Sequence, residues 1–402
     1  MSFFLLISLY LLNLYTVISK TLYKSSYIIH FFFISLIFMG PAVYYEMGLT
    51  TYSNSFEWED VITFEWYGVS VFVCSLLYLY FLKGTKWSIL NNYFKNHSNR
   101  NSKLVSVYFI FWFVLVLLYL TFYYDKIPVI RFLMSGNLPD RLDQSDEVKL
   151  FYTFSSFFMV FIPSGYFYFI RFMKTNISRF GLLMLVVFIL TSGGHKGLVT
   201  YFAIFAIFFS GFKFNLKYIL IGVFALSGLL AIYVLTKGRE FNKETFVYLL
   251  ESPPRRFFVT QGSAFITRIS MERRNAFDGN VFDYQLIKRE SFQEIYPGIN
   301  EKGAAPTIFL GDLHVRYGYA YTMLCYIMFL CFSFPFIKGL DNMKERKLYI
   351  WWNIFVFFLL LGTAELSYTS AMRCFLALAN LLILVFIPFL TYKKNDAALQ
   401  KP

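Results

Sequence analysis

The chain has 402 residues, of which 57% are hydrophobic, 22% are aromatic and only 15% are charged. Soluble domains are about half apolar, and apolar runs long enough to cross a bilayer as a helix recur throughout this chain. Composition therefore excludes an ordinary soluble protein and predicts an all-α polytopic membrane protein. The net charge of +13 does not indicate nucleic-acid binding, because most of it lies in the loops where membrane proteins collect Lys and Arg.

Eleven membrane-spanning helices are predicted, within a single membrane domain over residues 1–402. In chain order they cover about residues 3–18, 26–44, 61–82, 104–124, 150–170, 180–191, 198–212, 218–236, 317–337, 348–366 and 371–392. The first is interpreted as a retained span, since it has neither a basic segment before it nor a small-residue cleavage pattern after it.

Alternate loops between these spans are basic. The loops on one side, with the C-terminal tail, hold 19 Lys and Arg against three acidic residues. The positive-inside rule places that side in the cytoplasm, with the N-terminus outside. Two sizeable loops then lie outside, a first periplasmic loop at 125–149 and a large one at 237–316.

The large loop is the most polar part of the chain. Its 80 residues carry 12 of the 37 Lys and Arg and 10 of the 24 Asp and Glu. Its turn residues predict short helices at 242–251, 255–277 and 281–295. We expect these helices to lie on the membrane surface or to cap a cavity between spans.

Several catalytic motifs are absent from the sequence. It contains no phosphate-binding glycine loop, no dinucleotide fingerprint, no His-Glu-x-x-His and no Asp-x-Asp. These absences give no support to nucleotide-sugar chemistry with a metal, and the sequence predicts neither a metal nor a cofactor.

Arginine is in excess on the predicted outer side, which holds 11 of the 15 arginines. They are Arg131, Arg141, Arg239, Arg255, Arg256, Arg268, Arg273, Arg274, Arg289, Arg316 and Arg373. The guanidinium fork binds phosphate oxygens in a bidentate manner, so this excess favours a lipid-linked pyrophosphate substrate. The alternative is that these arginines are solvated or paired with acidic residues of the same loop.

Two short segments carry candidate catalytic or binding side chains. At the entry to the ninth span, Asp312, His314 and Arg316 place an acid, an imidazole and a guanidinium at the outer boundary. His314 is the best candidate base, with Asp312 second, and interfacial anchoring is the alternative. After the sixth span, His195 and Lys196 lie in a glycine-rich turn that could bind an anion, or that is simply a tight turn with a snorkelling lysine.

These features resemble the bacterial oligosaccharide repeat-unit polymerases, which make O-antigen and capsule. The shared features are about eleven aromatic-rich spans, two periplasmic loops and the turn from Thr191 to Gly197. The entry to the late span is also similar, and Arg268 and Gly279 match the Arg-x10-Gly spacing of the family.

The resemblance implies a membrane glycosyltransferase of the bacterial inner membrane, with a fold similar to lipid-dependent, GT-C-like transferases. Its substrate would be an undecaprenyl-pyrophosphate-linked oligosaccharide, built into O-antigen or capsular polysaccharide without a metal. A chain-length regulator and a flippase of the same pathway are the implied partners. The implied substrate-binding residues are Arg268, Arg316, Arg255, Arg256, Arg131, Arg141, His195, Lys196 and Gly279.

Two other functions stay open at this stage. A flippase for the same lipid-linked unit would show repeat symmetry and sites between broken helices, whereas the polar residues here lie in one asymmetric loop. A membrane O-acyltransferase would require a catalytic histidine that an acyl donor reaches from the inside, and neither His30 nor His97 lies in such a motif.

Overall fold

A computed structural model describes residues 1–19, 27–47, 56–84, 103–127, 130–131, 134, 149–192, 196–209, 260–277, 279–295, 307–341, 347–363 and 368–399. Over these ranges the chain forms twelve α-helices, one short 3-10 turn and no β-strand. The prediction of an all-α protein is therefore confirmed for the part of the chain that the structure describes.

The twelve helices follow one another in the order of the predicted segments. They are α1 (Ser2–Ser19), α2 (Tyr27–Glu46), α3 (Trp58–Gly84), α4 (Lys103–Phe122), α5 (Lys149–Phe169), α6 (Asn176–Ser192), α7 (Lys196–Phe209), α8 (Gln261–Arg273), α9 (Tyr284–Ile295), α10 (Phe309–Asp341), α11 (Leu348–Thr363) and α12 (Tyr368–Leu399). The predicted span at 218–236 and the predicted helix at 242–251 lie outside the described residues.

Five of the described helices, α1 to α4 and α10, are long and apolar enough to cross a membrane. Shorter apolar stretches occur in α5, α6, α11 and α12. The helices thus have the composition of a membrane protein, while the number of eleven spans remains a prediction.

The chain folds into two compact units, each built from three separate stretches. The first comprises Met1–Asn99, Pro253–Glu345 and Phe357–Cys374, and the second comprises Arg100–Ser252, Arg346–Val356 and Phe375–Pro402. The polar residues of the 237–316 segment that the structure describes belong to the first unit.

In the first unit, α1 and α3 run side by side in the same direction. Near the start of both helices the Ser2 hydroxyl donates to Glu65, and further along Asn13 Nδ2 donates to the carbonyl oxygen of Phe72 at 3.0 Å. Residues further along α1 thus contact residues further along α3, so the two helices are parallel.

The helix α10 also runs parallel to α3. Tyr67 contacts His314 near the beginning of both helices, and Tyr78 contacts Ser333 at 3.3 Å further on. In contrast, α2 is antiparallel to α3, since Tyr27 at its start donates to Ser75 at 2.8 Å. These relative directions agree with the alternation of spans that the sequence predicts.

The second unit is joined by a network of buried amides. Asn353 Nδ2, on α11, donates to Ser164 Oγ on α5 at 2.7 Å, and its oxygen accepts from Asn380 on α12 at 2.8 Å. The hydroxyl of Tyr108, on α4, donates to Asn380 at 2.7 Å. Such bonds between helices satisfy polar groups that the surrounding apolar side chains cannot.

The helix α8 is polar in sequence but buried in the structure, with every residue from Gly262 to Met271 buried. Gly262 permits this packing, because a Cβ there would lie 2.8 Å from the carbonyl oxygen of Ile37 on α2. The helix ends in a Schellman motif, in which Asn275 has φ 50° and Ala276 N–H donates to Met271 O at 2.8 Å.

The helix α10 begins earlier than the sequence predicts. Helix begins at Phe309, inside the segment predicted as the large loop (237–316), and it is interrupted at Gly318, which has φ 71° and ψ −175°. The predicted start of the span at 317 lies next to this interruption, and the loop boundary stays a prediction. We name residues 309–317 the short arm and residues 319–341 the long arm. The long arm has no charged residue before Lys338. Its uncharged part, residues 319–337, is about 28 Å long at about 1.5 Å per residue.

Candidate functional site

The short arm of α10 brings three of the predicted site residues into contact with the rest of the first unit. Asp312 and His314 are buried, and Arg316 is partly exposed. The short arm packs against α8 and α3, so its side chains meet residues from distant parts of the sequence. Each of the three contacts a different partner.

Asp312 pairs with Arg268. The Arg268 guanidinium, on α8, donates to the Asp312 carboxylate, and both side chains are fully buried. A buried charge needs a partner of opposite sign, and this pair meets that need while fastening α8 to the short arm. The prediction that Arg268 binds substrate stays untested.

His314 lies between a tyrosine and a glutamate. Its Nδ1 atom is 2.7 Å from the Tyr67 hydroxyl on α3, and its Nε2 atom is 3.8 Å from Glu272 Oε2 at the end of α8. Within the described residues Nε2 has no hydrogen-bond partner, although the atom is buried. The Glu272 side chain is 44% exposed.

Arg316 is held by the turn between α8 and α9. Its Nε atom donates to the carbonyl oxygen of Val281 at 3.1 Å, and its guanidinium carbon is 6.0 Å from the ring centroid of Phe282. Gly279 lies in this connection, and a Cβ there would lie 2.1 Å from Leu286 Cδ2. The segment from Arg268 to Gly279 and beyond therefore folds back onto the short arm.

A second arginine anchors the end of α8 to α3. Arg273 Nε donates to Asp60 Oδ1 at 2.9 Å, while its terminal nitrogens reach Glu57 at 2.5 Å and Glu59 at 3.2 Å. The hydrogen bonds that Arg273 donates to Asp60 and Glu57 raise the pKa of its guanidinium, which therefore stays charged. This anchor holds Glu272 beside His314.

The remaining predicted residues are distributed as follows. Arg131 belongs to the second unit, where its Nε atom donates to the carbonyl oxygen of Asp125 at 2.7 Å. Lys196 is the first residue of α7. The positions outside the described residues are Arg141, His195, Arg255 and Arg256. Among the described residues, no group of three or more His, Cys, Asp or Glu could hold a metal ion.

Sequence reasoning missed Tyr67, Glu272 and the anchoring role of Arg273. Tyr67 lies within an apolar span, where a tyrosine is indistinguishable from the many others of the chain. Glu272 and Arg273 belong to a charged run that closes a predicted helix, which is typical of a solvated helix end. Their proximity to His314 and Asp60 depends on tertiary packing.

Comparisons with protein-family models, with curated proteins and with solved structures found no match. The resemblance to the polymerases therefore remains a prediction from the sequence. What the structure defines is an α-helical protein with membrane-compatible helices, in which a buried ion pair and a histidine meet on the short arm of an interrupted helix.

Proposed function

We propose that this chain is a membrane glycosyltransferase that polymerises lipid-pyrophosphate-linked oligosaccharide repeat units on the outer face of a bacterial inner membrane. The supporting observation is the position of the short arm. An uncharged stretch of about 28 Å follows Gly318, close to the thickness of the hydrocarbon core. When this stretch crosses the hydrocarbon core, Asp312, His314 and Arg316 lie at a membrane boundary. This is the depth at which the pyrophosphate of a lipid-linked substrate lies.

The chemical step requires a base and a cation. A sugar hydroxyl of the acceptor unit attacks the anomeric carbon of the donor and gives its proton to His314 Nε2. The new C–O bond forms as the bond from the anomeric carbon to the pyrophosphate oxygen breaks, and the lipid pyrophosphate leaves with the electron pair. Arg316 stabilises the charge that develops on this leaving group.

Of the two candidate bases, the geometry favours His314. The Asp312 carboxylate is fully buried and bound by Arg268, so it accepts no proton without breaking an ion pair. In the proposed mechanism Arg268 and Asp312 instead hold the short arm against α8, which positions His314 and Arg316 for the reaction.

A flippase would use the break in α10 differently. Transporters place their substrate between broken helices near the midplane of the membrane. In this chain the break precedes a stretch long enough to cross the hydrocarbon core, so it lies near one boundary. This placement favours an enzyme that acts at the membrane surface.

The test is polymerisation by the purified protein in lipid nanodiscs, with undecaprenyl-pyrophosphate-linked repeat units from the source bacterium. Gel analysis should show glycans longer than one unit. We expect His314→Gln to lower the rate by about 10²-fold or more, and Arg316→Ala by about 10²-fold. Arg274→Ala is the matched control, because Arg274 pairs with Glu294 at 2.8 Å and not with a residue of the short arm.

Two results would overturn the proposal. One is a wild-type protein that leaves every unit at its original length. The other is a protein that moves lipid-linked units across vesicle membranes without joining them, which would identify a flippase.

A further inference from the structure

Two exposed aromatic rings lie beside the Arg316 guanidinium. The guanidinium carbon is 6.0 Å from the centre of the Phe282 ring, and that ring lies 6.1 Å from the ring of Tyr317 at an angle of 66°. Phe282 is 59% exposed and Tyr317 is 48% exposed, while Arg316 is partly exposed. A cation and two aromatic rings are therefore accessible side by side at the end of the short arm.

Arg316 differs from other arginines of the same compact unit in what it contacts. Three of these arginines pair with carboxylates, namely Arg268, Arg273 and Arg274. Arg316 instead donates to the carbonyl oxygens of Val281 at 3.1 Å and Phe282 at 3.5 Å, and within the part of the chain that the structure describes it forms no ion pair. A guanidinium has more N–H donors than these carbonyls use. The contacts thus hold Arg316 in place without neutralising its charge.

The backbone around Phe282 is fixed by a turn. Phe282 N–H donates to Asn280 Oδ1 at 2.9 Å, and Asp283 N–H donates to the carbonyl oxygen of Asn280 at 2.8 Å. An asparagine that bonds the backbone two residues on is typical of a defined turn. The turn and the bond from Arg316 to Val281 hold the aromatic ring beside the guanidinium before a ligand binds, which lowers the ordering cost of binding.

A sugar that is bonded to a phosphate group fits this combination of side chains. The guanidinium binds phosphate oxygens. The face of an aromatic ring carries partial negative charge, so the weakly positive C–H groups of a sugar ring pack against it. In a lipid-pyrophosphate-linked oligosaccharide, the first sugar is bonded directly to the pyrophosphate. Its ring therefore lies next to any guanidinium that binds that pyrophosphate.

We propose that Phe282 and Tyr317 form the subsite for the first sugar of the donor, the sugar bonded to the pyrophosphate that Arg316 binds. This assignment rests on the proposed function, to which it adds the position of the sugar. The alternative for aromatic side chains near a membrane boundary is anchoring in the lipid interface. Only a sugar subsite distinguishes a lipid pyrophosphate that carries a sugar from one that does not.

The experiment compares undecaprenyl pyrophosphate with the same lipid carrying the repeat unit from the source bacterium. Native mass spectrometry of protein from nanodiscs with increasing ligand content gives the fraction of protein that retains each lipid. Every variant also carries His314→Gln, so that the repeat units stay unjoined. We expect the sugars to increase the affinity of this parent protein. Phe282→Ala should weaken binding of the sugar-bearing lipid about tenfold and leave binding of undecaprenyl pyrophosphate unchanged, and Tyr317→Ala should act in the same direction.

Three control variants separate stacking from other effects of the ring. Phe282→Tyr keeps the ring and should bind both lipids like the parent protein. Phe282→Leu keeps an apolar side chain without a ring and should behave like Phe282→Ala. Tyr321→Ala removes a tyrosine that is 66% exposed on the long arm and should change neither affinity. Because all these side chains are exposed, their replacement removes no buried contact of the core.

The possible failures are distinguishable. If Phe282→Ala weakens binding of both lipids equally, the ring only steadies Arg316 and the sugar subsite is overturned. If undecaprenyl pyrophosphate is retained but the sugars add no affinity, or Phe282→Ala binds the sugar-bearing lipid as tightly as the parent protein does, the inference fails alone. If the parent protein retains neither lipid better than an Arg316→Ala variant does, the pyrophosphate site fails, and the proposed function fails with it.

Discussion

The ion pair between Arg268 and Asp312 shows how one arginine can fit two interpretations of a sequence. Its position in a predicted outer loop favoured phosphate binding, with pairing to an acid of the same loop as the alternative. The structure pairs it with Asp312, deep between α8 and the short arm. The sequence alone does not distinguish phosphate binding from ion pairing at Arg268, because a helix as polar as α8 is typical of a protein surface. The burial of α8 depends on its packing against α2 and α3.

We expect Arg268→Ala to destabilise the protein by about 3–5 kcal/mol, because it leaves the Asp312 carboxylate buried without its charge partner. The double variant Arg268→Leu with Asp312→Leu removes both charges and should be less destabilised than the single variant. Thermal unfolding in detergent or nanodiscs provides the measurement.

The comparison of single and double variants also separates structure from catalysis. If the double variant folds like the wild type but no longer polymerises, the pair serves the reaction and not only the stability of the fold. Equal loss of stability in the single and double variants would show that the two charges do not compensate each other.

At the scale of the element, the interrupted helix α10 determines where the site lies. Gly318 has a backbone conformation, φ 71° and ψ −175°, that is essentially restricted to glycine. On the C-terminal side of the break the helix is apolar, and on the N-terminal side it carries Asp312, His314 and Arg316. Gly318 thus separates a membrane-compatible segment from a polar one while keeping both in a single element.

Gly318→Ala should therefore destabilise the protein by about 1–3 kcal/mol, since any Cβ strains this conformation even though nothing lies within 4 Å of it. Gly181→Ala is the matched control, because a Cβ at position 181 of α6 also meets nothing within 4 Å. Alanine in place of that helical glycine should be neutral or stabilising.

Unfolding midpoints of the two variants, measured side by side, test this difference. Equal midpoints would mean that α10 straightens without cost when Gly318 is replaced.

The apolar helices are the part of the fold that could be predicted most closely from the sequence. The predicted segments at 3–18 and 26–44 correspond to α1 and α2 within two residues at each end, because long apolar runs have few alternatives to a helix. The start of α10 was not predictable in this way. Its charged residues interrupt the apolar pattern, and the short arm is helical because it is buried against α8 and α3.

The candidate site was predictable in its residues but not in its contacts. Asp312, His314 and Arg316 were recognisable as a polar run at the entry to a span. Tyr67 and Glu272 lie 247 and 42 positions before His314 in the sequence. Only the parallel packing of α3 and α10 brings the tyrosine to the histidine. No local pattern encodes such a pairing.

At the scale of the whole molecule, the orientation in the membrane is the prediction with the widest consequences. The basic loops predict that residue 96 lies in the cytoplasm and Asn275 outside. Single cysteines at these two positions, in a variant whose four native cysteines are replaced by serine, should react differently with a membrane-impermeant maleimide. In intact spheroplasts position 275 should be labelled and position 96 should not.

Lysis of the same cells is the control, since both positions should then react. Labelling of position 96 but not 275 in intact spheroplasts would place the short arm on the cytoplasmic side. A donor exposed on the outer leaflet could not reach it there, and the proposed polymerisation would be contradicted.

The anchor between Asp60 and Arg273 also bears on how the protein is made. The two residues are 213 positions apart, so the ribosome delivers α3 to the membrane long before the guanidinium that neutralises its buried carboxylate is translated. Chains that terminate early, or that a protease cuts between these positions, retain an uncompensated acid at the head of α3. Such fragments should be poor substrates for stable insertion and ready targets for membrane quality-control proteases.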